Sequence, residues 1–155
     1  MHLFETTLYT IGHYGPIITF CITLYQIWFY TTFFYAFIIG IYFNHIINEH
    51  TKLLIKQPRP NNQIQFIDHD QLKGPHKYGM PSGHSQTTWF SVVFLYLVKH
   101  TSYTFYFSFV IALITVFQRW KMHRHSVEQL AAGFCIGSIF AYFTYYCAKQ
   151  ISVSL

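Results

Sequence analysis

Acidic residues are nearly missing from this chain: Asp and Glu together number five in 155 residues, and charged residues of both signs make up 10%. A soluble domain carries about 25% charged residues. There is too little polar surface here to coat a water-soluble globule. The carboxylates are scattered at Glu5, Glu49, Asp68, Asp70 and Glu128, and no carboxylate-rich cluster of the kind that holds magnesium is evident. Asp68 and Asp70 flank His69, and this trio reads as polar loop in preference to a metal site. The three cysteines, Cys21, Cys135 and Cys147, fit neither zinc-site spacing nor a disulfide framework. Each lies inside an apolar run and is expected to be a small buried hydrophobe. No Asn-x-Ser/Thr site occurs. The N-terminus carries Glu5 and no Lys or Arg before its apolar run, so it is not expected to be a cleavable signal.

What the chain has in abundance is apolar and aromatic residues, at 52% and 21%. A membrane-spanning helix needs about 20 mostly apolar residues. The pattern predicts five spans, at about 8–28, 31–54, 85–98, 103–117 and 126–148. The first two share one long uncharged stretch, with the join placed near Tyr30-Thr31-Thr32. Gly15-Pro16 is expected to kink the first span or delay its start. Residues 57–80 are polar and turn-rich, with Pro58, Pro60, Asn61, Asn62, Gly74 and Pro75. The fifth run holds Ala131, Ala132, Gly133, Gly137 and Ser138, small residues that let helices pack closely in lipid. The expected fold is an all-α, polytopic membrane helix bundle of about five transmembrane helices, with residues 1–155 forming one membrane-embedded domain.

The basic residues are concentrated. Lys52, Lys56, Arg59, Lys73, Lys77, Arg119, Lys121 and Arg124 lie between apolar runs, and only Lys99 and Lys149 lie elsewhere. Counting spans puts the end of the second, the start of the third, the end of the fourth and the start of the fifth on one membrane face. Such a cluster suits anionic lipid headgroups or a phosphate substrate. Nucleic acid is not expected as a partner, because membrane spans interrupt the basic residues. Ionisable residues confined to one face also argue against a channel or transporter.

Three segments therefore converge: Lys52-x6-Arg59-Pro60, Pro81-Ser82-Gly83-His84, and Arg119-x5-His125. A phosphoryl group in transfer carries charge on several oxygens and needs fixed cations and hydrogen-bond donors around it. Lys52, Arg59 and Arg119 supply cations, and arginine can hold two oxygens in a fork. Ser82 and the backbone N–H groups that open the third span add neutral donors. Of the two histidines, one can attack phosphorus and the other can protonate the departing oxygen.

Together the three segments resemble the signature of the type 2 phosphatidic acid phosphatase superfamily, KxxxxxxRP, PSGH and SRxxxxxHxxxD. Within it the chain is most similar to the dolichyldiphosphatases. Asn48-Glu49, Leu54-Ile55-Lys56, Pro58-Arg59-Pro60, the run Lys77 to Gln86, Trp89-Phe90 and His125 with Gln129 carry that likeness, over about residues 48–140. The resemblance implies that His125 is the nucleophile and His84 the general acid, with Lys52, Arg59, Ser82, Gly83 and Arg119 binding the phosphoryl group and no metal or cofactor. It implies hydrolysis of a polyisoprenyl diphosphate, such as dolichyl diphosphate, through a phosphohistidine. A broader phosphatidate phosphatase, or an inactive homologue that binds lipid phosphates or scaffolds membrane proteins, is the alternative.

Two positions depart from the superfamily pattern. Gln118 stands where Ser is usual, and Gln129 stands where most members have the Asp that orients the nucleophile; the dolichyldiphosphatases resemble this chain in having Gln there. One turn along a helix from His125, the Gln129 carbonyl is expected to accept the Nδ1 proton, with Glu128 as the other possible partner. His2, His13, His45, His50, His100 and His123 are expected at helix ends and interfaces, and Arg124 and Glu128 as a helix ion pair. Trp28-Phe29-Tyr30 and Phe33-Phe34-Tyr35 read as an interfacial belt. The basic face would be cytoplasmic by charge bias alone. The resemblance instead implies an endoplasmic reticulum membrane with a lumenal active site, and we favour the lumen because most of these cations have a catalytic explanation.

Overall fold

The computed structural model describes residues 3–64, 73–100 and 102–154. Asp68, His69, Asp70 and His2 lie outside them. The described residues form five α-helices and no strand. These are α1 (Leu3–Ile27), α2 (Thr31–Ile55), α3 (Gly83–Lys99), α4 (Tyr103–Lys121) and α5 (Val127–Ser154), with a short 3₁₀ turn at Gly74–Lys77. The polytopic all-α bundle expected from the apolar runs is therefore observed. At 1.5 Å per residue, the 25 residues of α2 extend about 37 Å, enough for a hydrocarbon core of about 30 Å. Among the described residues only α5 is long and apolar enough to cross a membrane on composition alone. The other helices carry buried polar residues, among them Thr19, Thr23, Asn44, Asn48, Gln86 and Gln118.

The helix ends follow from the local chemistry. Lys56 closes α2 in a left-handed conformation, φ 53°, just before Pro58. Ser82 caps α3 by accepting from Ser85 N, and Ser102 caps α4 by accepting from Phe105 N. Pro16 lies inside a continuous α1, so the expected late start does not occur. The Thr19 hydroxyl donates to the Gly15 carbonyl, 2.9 Å away, in the same turn.

α1, α2, α4 and α5 each bury one stripe at a spacing of three to four residues, whereas α3 is buried on most sides. On α2 this stripe is Phe37, Gly40, Asn44, Asn48 and Lys52. On α5 it runs through Gln129, Gly133, Gly137, Ala141, Thr144 and Ala148. These stripes sort the interior into layers. Ile27, Phe37, Phe90, Phe94 and Ala141 form an apolar core, with Phe37 stacked 5.7 Å from Phe90. Nearer the basic face, Asn44, Asn48 and Gln86 form an amide layer, and Lys52 lies at its end.

Glycine sets the distance between α3 and α5. A Cβ on Gly137 would collide with the Gln86 backbone, and one on Gly133 with the Ser82 carbonyl and Ser85. Backbone contact this close is how helices adhere where lipid removes the hydrophobic drive. All three cysteines face outward, which corrects the expectation of burial. In lipid the outward face of an apolar run is as comfortable for a thiol as the core. Trp28 and Phe29 are likewise outward, while Phe33 turns in to stack on Tyr145 at 5.5 Å.

An alanine normally stabilises a helix over glycine by up to about 1 kcal/mol. Gly137→Ala should reverse that sign and cost about 1–3 kcal/mol through overpacking. Thermal unfolding in detergent should show a lower midpoint for Gly137→Ala, and little change for Ile139→Ala on the outward face.

Candidate active site

The ends of α2, α3, α4 and α5 meet at one face, joined by backbone and side-chain bonds. Ser82 N donates to the Gln129 carbonyl at 2.9 Å, Lys52 Nζ to the Pro81 carbonyl at 2.9 Å, and Arg59 NH1 to the Arg124 carbonyl at 3.1 Å. They enclose a cavity of about 450 Å³. Lys52, Arg59, Gly83, His84, Arg119 and His125 all lie on its wall, with Arg124 as a fourth cation. Among the described residues no carboxylate lines it.

Two of the cations, Arg59 and Lys52, donate to neutral oxygen. Arg59 donates from Nε and NH2 to the His76 carbonyl, at 3.1 and 2.8 Å. Lys52, 2% exposed, donates to Asn48 Oδ1 at 2.8 Å and to Pro81. Asn48 Nδ2 then donates to Gln86 Oε1 at 2.8 Å, and Gln86 Nε2 to the Asn44 carbonyl at 2.8 Å. An ammonium only donates and a carbonyl only accepts, so the two ends of this chain dictate both amide orientations. Two of the three Lys52 protons are thereby used, which aims the ammonium. Asn44, Asn48 and Lys52 recur every four residues on α2, the signal by which this support could have been read from sequence.

The nucleophile candidate is oriented with equal definition. His125 is 2% exposed. Its Nδ1 lies 3.0 Å from the Gly79 carbonyl, and its Nε2 lies 3.2 Å from Arg59 NH1. The carbonyl requires a proton on Nδ1, and the guanidinium requires a lone pair on Nε2. The ring is thus a neutral imidazole with its reactive nitrogen towards the cations. Burial holds its pKa well below the usual histidine range; Arg59, Arg119 and Lys52 push the same way, and the Gly79 carbonyl opposes them.

Gln129 is not the partner of His125 Nδ1, which corrects the sequence expectation. Its Oε1 accepts from Ser126 N at 3.2 Å, and its Nε2 donates to Gln57 Oε1 and the Pro58 carbonyl at 3.0 and 2.8 Å. The reason is that α5 starts at Val127, so His125 precedes the helix and the one-turn spacing does not apply. Gln129 instead secures the loop that pairs with residues 78–79, where Pro58 bridges Tyr78 and Gly79 N donates to the Gln57 carbonyl. A Cβ on Gly79 would strike the Gln129 amide. Glu128 is exposed and does not line the cavity.

Other expectations also shift. Ser82 is fully buried as the cap of α3 and is not part of the cavity wall. Arg124, expected on a helix surface, is buried against the cavity. His123 is exposed in the α4–α5 turn and stays off the wall. His13, His45 and His76 are on the wall, where helix-end roles were expected for the first two. His45 and His76 flank Glu49 Oε1 at 3.4 and 3.7 Å. Gln118 is buried against Gly12 of α1, whose missing side chain makes room for it.

The family model described as PAP2 superfamily matches residues 17–152. The chain is 33% identical over 110 residues to "Dolichyldiphosphatase" of Saccharomyces cerevisiae, covering 64% of this chain and 45% of that protein. It is 31% identical over 125 residues to "Dolichyldiphosphatase 1" of Homo sapiens, covering 75% and 44%. The chain thus spans less than half the length of these relatives. Among solved structures it is similar to a transmembrane PAP2 type phosphatidylglycerolphosphate phosphatase from Bacillus subtilis, with a TM-score of 0.73 at 18% identity over 97% of this chain and 80% of that one.

The hydrogen bonds of His125 predict a spectroscopic result. Nitrogen NMR of histidine-labelled protein at pH 7 should show a neutral ring protonated at Nδ1, which takes its second proton below the usual value of about 6.5. Arg59→Gln removes one cause of the lowering, so the midpoint should move up in that variant.

Proposed function

Because the chain belongs to the PAP2 superfamily, we propose that it hydrolyses a lipid diphosphate through a phosphorylated His125, without a metal. The observation that carries this reading is the cavity itself: four cations and a neutral imidazole lone pair share a wall with no carboxylate among the described residues. That is a site for an anion which is also an electrophile.

In the first step His125 Nε2 attacks the terminal phosphorus. The P–N bond forms as the P–O bond to the leaving group breaks, and the electron pair departs with that oxygen, which takes a proton from His84. Lys52, Arg59 and Arg119 hold the non-bridging oxygens while their charge grows, with Gly83 on the cavity wall bringing the N-terminal end of α3 to them. In the second step water attacks the phosphohistidine. A P–O bond forms, the P–N bond breaks, and His84 accepts the water's proton. The net change is one water consumed and one phosphate released, with lipid monophosphate left behind. Gln129 acts at one remove, by fixing the loop whose Gly79 carbonyl orients His125.

A polyisoprenyl diphosphate such as dolichyl diphosphate is the substrate we favour, supported by the similarity to proteins named dolichyldiphosphatase. On the same ground we place the site on the lumenal face of the endoplasmic reticulum membrane, with bilayer lipid as its partner.

Purified protein in detergent with a chelator should release phosphate from dolichyl diphosphate. His125→Ala should lower the rate by at least about a thousandfold, and His84→Ala by about a hundredfold to ten-thousandfold. Undiminished turnover by His125→Ala would sink the mechanism. Release from phosphatidate but not from the diphosphate would replace the substrate.

A further inference from the structure

The site described so far uses α2 to α5, yet the cavity has another wall on α1: His13, Tyr14, Pro16 and Ile17 line it too. His13 precedes residue 17, where the family match begins. The His13 ring centroid is 5.7 Å from that of His84, at an interplanar angle of 53°. Tyr14 packs edge-on against it at 4.9 Å.

Close packing fixes this placement. Gly12 and Gly15 sit against Gln118 and Thr115 of α4, at positions where a Cβ would collide with either side chain. Gln118 directly precedes Arg119. The depth of α1 beside the cation cluster is therefore set, and His13, between the two glycines, lies beside His84. α1 packs mainly on α4 and α3, and α2 mainly on α5 and α3, so the two consecutive helices leave each other largely uncovered. Tyr14 and Ile17 are 43% and 60% exposed.

His84 and His13 are thus neighbours on the wall that also carries His125 and the cations, and Pro16 and Ile17 continue that wall along α1. A lipid diphosphate runs in the order terminal phosphate, bridging oxygen, inner phosphate, apolar tail. With the bridging oxygen at His84, the next group towards the tail lies at His13.

We propose that α1 supplies a leaving-group subsite in which the His13 imidazole donates a hydrogen bond to the inner phosphate of a lipid diphosphate, with the first tail carbons passing Ile17. This rests on the function proposed above. It makes His13 a specificity-determining residue, because a lipid monophosphate ester presents no phosphate at that position. His13 takes no part in breaking the P–O bond.

The test compares wild type, His13→Ala and His13→Gln in detergent. First, kcat/KM is measured on dolichyl diphosphate and on phosphatidate. His13→Ala should lose about tenfold on the diphosphate and no more than about twofold on phosphatidate. His13→Gln, which keeps a donor, should recover most of the loss. Equal losses on both lipids, or none on the diphosphate, overturn the subsite. Second, binding of methylenediphosphonate and of inorganic phosphate is measured by calorimetry, independently of turnover. Wild type should prefer the diphosphonate, and His13→Ala should lose that preference while keeping its phosphate affinity and melting temperature. An unchanged preference overturns the subsite. Wild type that binds both anions but hydrolyses neither lipid overturns the proposed function instead, and the binding ratio still decides the role of His13.

Discussion

Four cations crowd one cavity whose described walls hold no carboxylate, and the architecture of the basic face follows from that repulsion. Like charges about 4 Å apart near a protein surface repel by about 4 kcal/mol. Here the opposing partial charges include main-chain carbonyls: His76 and Arg124 hold Arg59, and Pro81 holds Lys52. A carboxylate would neutralise the cavity and compete with an anionic ligand. Carbonyl oxygens steady Arg59 and Lys52 without adding a negative charge. They can do so only if the loops that carry them are themselves fixed, which is why short segments between helices have so many defined bonds.

The amide layer links that face to the apolar core. Lys52 takes its orientation from Asn48, Asn48 from Gln86, and Gln86 from the Asn44 carbonyl. Buried networks of this kind are rigid where they are satisfied and costly where they are not; among the described residues Asn44 Nδ2 has no hydrogen-bond partner. The tight crossing of α3 over α5 at Gly133 and Gly137 supports the layer from below, since it fixes where Gln86 can sit.

Gln129 shows how an apparent departure becomes intelligible. A carboxylate beside His125 would stabilise a charged ring. Here Nδ1 faces a neutral carbonyl instead, and burial with three nearby cations keeps the ring neutral. The side chain at 129 is then available to bind Gln57 and Pro58. Gln118 is a parallel case, in which the extra bulk is matched by Gly12.

The sequence by itself determined the helices and their membrane character. Apolar runs, caps and prolines are local signals, and their spacing settles which ends share a face. It also located the segments that converge, because Lys52, Arg59, His84, Arg119 and His125 stand at those ends. Tertiary structure alone decided which atoms meet. Gln129 and His125 are four apart, yet the helix starts between them, so proximity in sequence misassigned the contact. Gly79 is 46 residues from His125, and its carbonyl has no side chain to announce it. His13 looked like one more interfacial histidine until two glycines pressed α1 onto α4. A backbone carbonyl and a helix depth are set by packing between distant segments, and no local pattern encodes them.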